Sequence, residues 1–169
     1  EMRLSNVNNL IDNVLGMVEK QYRKEKIEVV RMLDPNIPDV MMDARQMEQV
    51  VINITNNAVF AMKESVGNTE HAGVLRKGEL TVGSRFHAYK ECVEIFIKDT
   101  GVGISKNVLR KIFDPFFTTR KDGKGTGLGL SISYGIVKMH DGSIEVDSEI
   151  GKGTTFRIFL PLKAKKEQE

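Results

Sequence analysis

The chain has 169 residues, is 40% hydrophobic and carries 25 lysines and arginines against 23 acids, for a formal net charge of +2. That length suits one compact domain burying roughly 70% of its unfolded surface, and the near-balanced charge gives no footing for a nucleic-acid or membrane-surface partner. A lone cysteine, Cys92, excludes an internal disulfide and suits a reducing compartment, and no stretch reaches the roughly 20 apolar residues that span a bilayer.

Val7, Leu10, Ile11, Val14, Val18 and Tyr22 recur at helical spacing and predict an amphipathic helix. KIEVVRML then predicts a strand, ended by DPNIP, where two prolines force an extended turn. From Asp43 the period is helical again. Met47, Val51, Ile54, Ala58 and Ala61 line one face of a second helix expected to run to about Glu64. Ser65 to Gly78 lacks periodicity and reads as a loop. ELTVGSRF and CVEIFIKD alternate apolar and polar positions, as neighbouring strands with one buried face do, which makes Cys92 a buried thiol without chemistry. Ser105 to Lys111 predicts a short helix, and Leu128, Ile132, Ile136 and Met139 mark a third long one, closed by the turn-forming pair Asp141-Gly142. SIEVDS and TTFRIFLPL are two further strands with GKG in the turn between them. Separated helices among mostly consecutive strands imply an α/β sandwich with helices on one sheet face. The start on a hydrophobic pattern at Glu1 and the charged end KAKKEQE are expected to be cuts in a longer chain.

Three stretches could carry chemistry. In NITNNA, Asn53 and Asn57 lie one turn apart and project from one face of the second helix. Asparagine is a poor interior helix residue, and an amide oxygen is a hard donor that Mg²⁺ accepts; a solvated helix face is the competing reading. In DTGVGI, Asp99 ends a strand and glycines at alternate positions let the backbone approach a ligand. A carboxylate there can accept from an exocyclic amino group such as adenine's, whereas the bland reading is an Asp-initiated turn. Third, FDPFFTTRKDGKGTGLGL places Gly123, Gly125, Gly127 and Gly129 just ahead of a helix, so main-chain amides and the positive helix end would face an anion. Arg120, Lys121 and Lys124 add charge, and Thr118, Thr119 and Thr126 add hydroxyls suited to phosphate oxygens. A polar hinge alone does not explain Phe113, Phe116 and Phe117, which are expected to anchor the entrance of a loop whose far end is free to move.

NITNNA, DTGVGI, FDPFF and GKGTGLGL, in that order, resemble the asparagine, first glycine, phenylalanine and second glycine boxes of the catalytic, ATP-binding domain of sensor histidine kinases. FDPFFTTR with GTGLGLSISYGIVKMHDGSIEVDS after it is most similar to the nitrogen-regulation sensor type. The resemblance covers nearly the whole chain, with a catalytic domain over 1–162 and a charged tail over 163–169. It implies a two-layer sandwich with a mixed, mostly antiparallel sheet covered on one face by three helices, and ATP held under a mobile lid from about Asp114 to Gly127.

Carried over position by position, the resemblance implies that Asn57 binds Mg²⁺ and Asp99 reads adenine. Gly101 and Gly103 make room for the nucleotide beside Ile104. Thr118, Thr119, Arg120, Lys124 and Thr126 contact phosphate, Gly125, Gly127, Leu128 and Gly129 form the phosphate cradle, and Thr154 supports Asp99 from an adjacent strand. Asn53, with Arg120 and Lys124, falls in the catalytic set. Related ATPases carry a glutamate at the position of Asn53 to activate water; an amide cannot act as that base. Transfer to a histidine nitrogen, already nucleophilic, relies on positioning and charge neutralisation instead, so Asn53 favours kinase over hydrolase. A nucleotide-gated clamp and an anti-sigma serine kinase are the alternatives.

Two features depart from the pattern: Phe60 stands where some relatives place a lysine, and the stretch Ser65 to Gly78 is long. His71, His87 and His140 all lack the acceptor context, and His140 is expected to be a cation at a helix C-terminus. The acceptor histidine therefore belongs to a dimerisation domain ahead of Glu1, and the fragment, monomeric by itself, should not phosphorylate itself. The whole kinase is expected to be a cytoplasmic homodimer or the cytoplasmic part of a membrane-bound sensor, passing its phosphoryl group to a response regulator. Without nucleotide, order is expected to fail between about Phe117 and Gly127.

Overall fold

The computed structural model describes residues 1–67, 77–121 and 123–162. Residues 68–76 of the expected loop, His71 among them, and the expected tail 163–169 lie outside the described residues. The elements run β1 (Arg3–Ser5), α1 (Val7–Lys24), β2 (Ile27–Met32), β3 (Val40–Met42), α2 (Ala44–Gly67), β4 (Gly78–His87), β5 (Cys92–Asp99), α3 (Lys106–Leu109), α4 (Gly129–Met139), β6 (Ser143–Glu149) and β7 (Gly153–Pro161).

Local chemistry sets the helix starts. Asn6 caps α1, its side chain accepting from the Asn8 amide at 3.0 Å, and Asp43 Oδ1 accepts from the Arg45 and Gln46 amides at 3.1 and 3.2 Å ahead of α2. The apolar stripes fall where the period places them. Val7, Leu10, Ile11, Val14 and Tyr22 of α1 are buried, as are Met47, Val51, Ile54 and Ala58 of α2. Each such aliphatic side chain contributes about 1.5–3 kcal/mol on burial. α2 runs beyond Glu64 to Gly67.

The helices pack on a five-stranded sheet of order β2-β4-β5-β7-β6. Only β2–β4 is parallel; the other three pairs are antiparallel. The parallel pair follows from connectivity, since the chain between β2 and β4 crosses over through α2. Leu80, Val82, Val93, Ile95, Ile97, Phe156, Ile158 and Leu160 point into one core with α1, α2 and α4. The result is a two-layer α/β sandwich with helices on one face. Cys92 is buried at the far end of β5, and burial pushes its thiol up.

The structure differs from the sequence reading at several points. β1 and β3 form an antiparallel ribbon, Arg3 opposite Met42 and Ser5 opposite Val40, which no sequence pattern signals because three residues are too few to alternate visibly. α3 covers only Lys106–Leu109, with Ser105 as its cap. At the end of α4 the left-handed conformation belongs to Asp141, φ 56°, while Gly142 is demanded by crowding: a Cβ there would lie 2.5 Å from the Phe159 carbonyl oxygen.

His140 is also corrected. It is buried, its Nδ1 donates to the Ile136 carbonyl at 2.7 Å, and its Nε2 accepts from the Asp43 amide at 2.9 Å. A ring nitrogen that accepts from an amide carries no proton, so His140 is a neutral bridge between the end of α4 and the start of α2 rather than a cation. His140→Ala would strand the part-buried Asp43 amide and the buried Ile136 carbonyl. We expect a loss of about 2–4 kcal/mol in denaturant unfolding at unchanged slope.

Candidate functional site

A cavity of about 560 Å³ opens between α2, the loop after β5, the segment 113–127 and the start of α4. Its floor is Asp99, the last residue of β5, which alternation turns towards the helices; it is 3% exposed. Its Oδ1 accepts from the Gly101 amide at 2.8 Å, and the Thr154 amide also bonds to it. Burial pushes this carboxyl up to about 6, against the pull of those two amides. Thr154 thus reaches Asp99 through its main chain, as the register of β5 on β7 dictates. Its hydroxyl faces Ser148 Oγ instead, at 2.8 Å.

The loop that follows lies flat between two walls. A Cβ on Gly101 would sit 2.7 Å from Ala61 Cβ, and Val102 donates to the Ala61 carbonyl at 3.2 Å, so the loop is pressed on α2. Gly103, φ 75°, leaves no room for a Cβ, which would lie 2.1 Å from the Glu149 carbonyl oxygen. These two glycines are required first by protein packing; of the pair only Gly103 lines the cavity. Ile104 lines it too, and its amide donates to Ser148 Oγ at 2.8 Å.

On α2, Asn53, Asn57 and Phe60 line the cavity together. The Asn53 amide nitrogen donates to the Gly129 carbonyl at 3.2 Å and to the buried Ser133 hydroxyl at 3.3 Å, tying the first turn of α4 to α2. Asn56 accepts from the Tyr22 hydroxyl at 2.8 Å and so braces α1. Asn57, by contrast, makes no side-chain hydrogen bond to any described residue and offers its amide to the cavity. Among the described residues no three His, Cys, Asp or Glu side chains gather as a metal site. Asn57 could offer a divalent ion one hard oxygen, the kind of donor that Mg²⁺ accepts beside phosphates and water.

The opposite wall is the segment between Phe113 and Gly127. Thr118, Thr119, Arg120, Lys124, Gly125, Thr126 and Gly127 all line the cavity, followed by Gly129. Thr118 Oγ1 accepts from the Arg120 amide at 3.1 Å and Thr126 Oγ1 from the Leu128 amide at 3.3 Å, so both hydroxyls are partly spent on local turns. Leu128 precedes α4 and does not line the cavity. Gly127, φ 68°, crosses the Phe116 backbone so closely that a Cβ would lie 2.3 Å from its carbonyl carbon. Gly129 is different: a Cβ there would meet only Asn53, at 3.8 Å, so packing does not demand the glycine. The aromatic anchors number two among the three expected. Phe113 stacks on Tyr134 at 5.4 Å and Phe117 packs on the core, but Phe116 is 75% exposed at φ 65°.

Sequence reasoning misses three supporting residues. Ser133 and Ser148 each share their element with a second serine and carry no local signal, yet one holds Asn53 and the other the loop after Asp99. Phe60 looks like a departure from pattern; it lies under the Arg120 guanidinium, 4.1 Å from ring centroid to Cζ.

Comparison with known proteins places the fold. The family described as histidine kinase-, DNA gyrase B- and HSP90-like ATPase matches residues 42–164. Among curated relatives, the sensor kinase CckA of Brucella abortus is 47% identical over 127 residues, which is 72% of this chain and 13% of that protein. The sensory histidine kinase/phosphatase NtrB of Vibrio alginolyticus is 33% identical over 160 residues, 93% of this chain and 43% of that protein. The chain therefore spans less than half the length of either. Among solved structures, a nucleotide-free catalytic domain of the histidine kinase ThkA superposes with a TM-score of 0.80 at 30% identity, covering 97% of this chain and 99% of that one. ThkA is also known in complex with response regulator protein TrrA, where the match has a TM-score of 0.75 at 27% identity and covers 98% of this chain and 43% of that one. The sandwich that carries this cavity is thus the fold of a known catalytic domain, and the chain belongs to the histidine kinase-, gyrase B- and HSP90-like ATPase family, on the branch of sensor histidine kinase catalytic domains.

Proposed function

We propose that the chain binds Mg·ATP in this cavity and transfers the γ-phosphoryl group to a histidine on the dimerisation domain of the same kinase. The observation that carries the reading is the pairing, in one cavity, of a buried carboxylate at Asp99 with the amide of Asn57, which bonds to no described residue. The carboxylate, stripped of water, can accept from adenine's exocyclic amine; the amide oxygen can join a Mg²⁺ sphere completed by phosphates. Bound Mg·ATP supplies the phosphoryl group and the metal's charge neutralisation. The chain's own task is then to bind and orient. Arg120 and Lys124 neutralise phosphate charge, and the amides of Gly125, Gly127 and Gly129 face the anion at the start of α4. The segment 114–127 acts as a mobile lid.

Asn53 fits transfer better than hydrolysis for two reasons. Its amide cannot deprotonate water, and its nitrogen is committed to Gly129 and Ser133, so it positions α4. A histidine nitrogen needs no such base. The complex of ThkA with a response regulator supports a receiver domain as the next phosphoryl acceptor. Among the described residues no helix is long and apolar enough to cross a membrane, and a module that meets ATP works in the cytoplasm.

The test combines this chain, the histidine-bearing dimerisation domain and Mg·ATP labelled at the γ position. The expected result is acid-labile label on the dimerisation domain and none on this chain. Acid-stable label, or steady phosphate release with no acceptor present, would replace the kinase reading by a serine kinase or a GHKL-type ATPase clamp.

A further inference from the structure

Phe60 and Arg120 lie on opposite walls of the cavity, one on α2 and the other in the segment that closes it. The guanidinium carbon sits 4.1 Å from the centroid of the Phe60 ring. That is well inside the distance at which a cation is attracted by a ring face, and the flat guanidinium can stack there as an ammonium cannot. Phe60 follows Asn57 by one helical turn on the same face, so the contact places the arginine beside the amide offered to the cavity.

We propose that Phe60 is a positioning residue: its ring docks Arg120, holds the 113–127 segment against α2, and presents the guanidinium at the phosphate end of the cavity. The physical case rests on geometry and entropy. A solvated arginine samples many rotamers, and ordering it at the moment of binding costs affinity. A ring beneath it fixes the plane of the fork, and a planar fork held in one orientation is the geometry that pairs with an anion's oxygens. Thr118 and Gly125 support the same pose. Thr118 Oγ1 accepts from the Arg120 amide at 3.1 Å, and a Cβ on Gly125 would come within 3.0 Å of Arg120 Cβ, so the segment folds back tightly around the arginine. Phe60 thus supplies order where a helix lysine would have supplied charge.

The identity of the ligand rests on the nucleotide reading above, but the docking contact does not, and the experiment separates the two. The first arm measures hydrogen exchange of peptides covering 117–121 in nucleotide-free protein, for Phe60→Leu, Phe60→Tyr, Phe60→Lys, Arg120→Met and the Phe60→Leu/Arg120→Met double variant. Exchange should quicken about three- to tenfold in Phe60→Leu and stay near the starting protein in Phe60→Tyr, which keeps the ring. Phe60→Lys should quicken it at least as much as Phe60→Leu. The double variant should match Arg120→Met, because without the guanidinium the ring has nothing left to dock. Peptides of β5 and β7 serve as the control for global loosening. Unchanged exchange in Phe60→Leu, equal loosening in Phe60→Tyr, or additive effects in the double variant would overturn the proposal.

The second arm compares Mg·ATP with AMP by calorimetry. Phe60→Leu should weaken Mg·ATP about three- to tenfold and leave AMP within about twofold, since the ring acts through a group that meets the distal phosphates. Equal weakening of both would make Phe60 part of the cavity wall only and overturn its positioning role. If the starting protein binds neither nucleotide, the ligand reading fails while the exchange arm still decides the contact.

Discussion

Asp99→Asn is expected to abolish nucleotide binding, weakening Mg·ATP by more than about 100-fold, while making the nucleotide-free protein more stable at neutral pH. The two effects have one cause. The carboxyl is buried and its ordinary value of 3.8 is pushed up to about 6, so folding favours the protonated form. A group raised in the folded state contributes stability that is fully present below its unfolded value, near 4, and lost as pH rises through about 6. At pH 7 the ionised carboxylate therefore costs the fold on the order of 2–3 kcal/mol relative to a neutral group. Asparagine removes that cost and still offers an oxygen to the Gly101 amide, now bonded at 2.8 Å to Asp99. Its other end is an NH₂, which meets adenine's amine donor to donor. Urea unfolding at pH 7 should place the variant about 2–3 kcal/mol above the starting protein, and the gap should close as pH falls below about 4. For the unaltered protein, Mg·ATP affinity should fall as pH drops through about 6, where Asp99 takes up a proton. A variant that is no more stable, or that keeps its affinity, would show that the carboxylate is neither desolvated nor in contact with the base.

The same residue shows what could be read from sequence and what could not. Alternation in CVEIFIKD turns Asp99 inwards with Val93, Ile95 and Ile97, and the structure finds all of them buried. Period reports which face a residue occupies, so the stripes of α1 and α2, the strands β4 to β7 and the convergence of NITNNA, DTGVGI and the glycine-rich stretch were legible. Partner choice is a different quantity. Asn53, Asn56 and Asn57 look alike in sequence, yet one ties α4, one braces α1 and one is left for the cavity, because only tertiary placement decides which partner comes within hydrogen-bond reach. His140 was misread for the same reason: its bond to Asp43 joins residues far apart in the chain. Phe116 follows Pro115 and precedes a packed phenylalanine, but its left-handed backbone turns the ring outwards, and no periodic signal carries that information. The glycines after Asp99 answer to more than a ligand. Gly101 and Gly103 avoid clashes with Ala61 and Glu149, a constraint set by neighbouring elements as well as by any ligand.

Asn57→Ala carries the second large effect, and the contrast with Asn53 sharpens it. Asn57 bonds to no described residue, so its removal should leave unfolding within about 0.5 kcal/mol of the starting protein. Asn53→Ala, which cuts the links to Gly129 and Ser133, should cost about 1–2 kcal/mol. Catalysis should rank the other way for the metal-dependent step. If the Asn57 oxygen meets the metal as proposed, its loss should lower phosphoryl transfer to the acceptor histidine by about 100-fold or more, the scale of a lost electrostatic contact to developing charge. Binding of AMP, which needs no metal, should change by less than about threefold. Asn57→Asp restores an oxygen donor but sets a negative charge beside the phosphates, so it should remain inactive towards transfer even where a metal still binds. The measurement is a pair of Mg²⁺ titrations, one of transfer rate and one of AMP affinity, on all three variants. Transfer that survives in Asn57→Ala with an unshifted Mg²⁺ dependence would remove this amide from the metal's sphere and leave α2 only its role in holding α4.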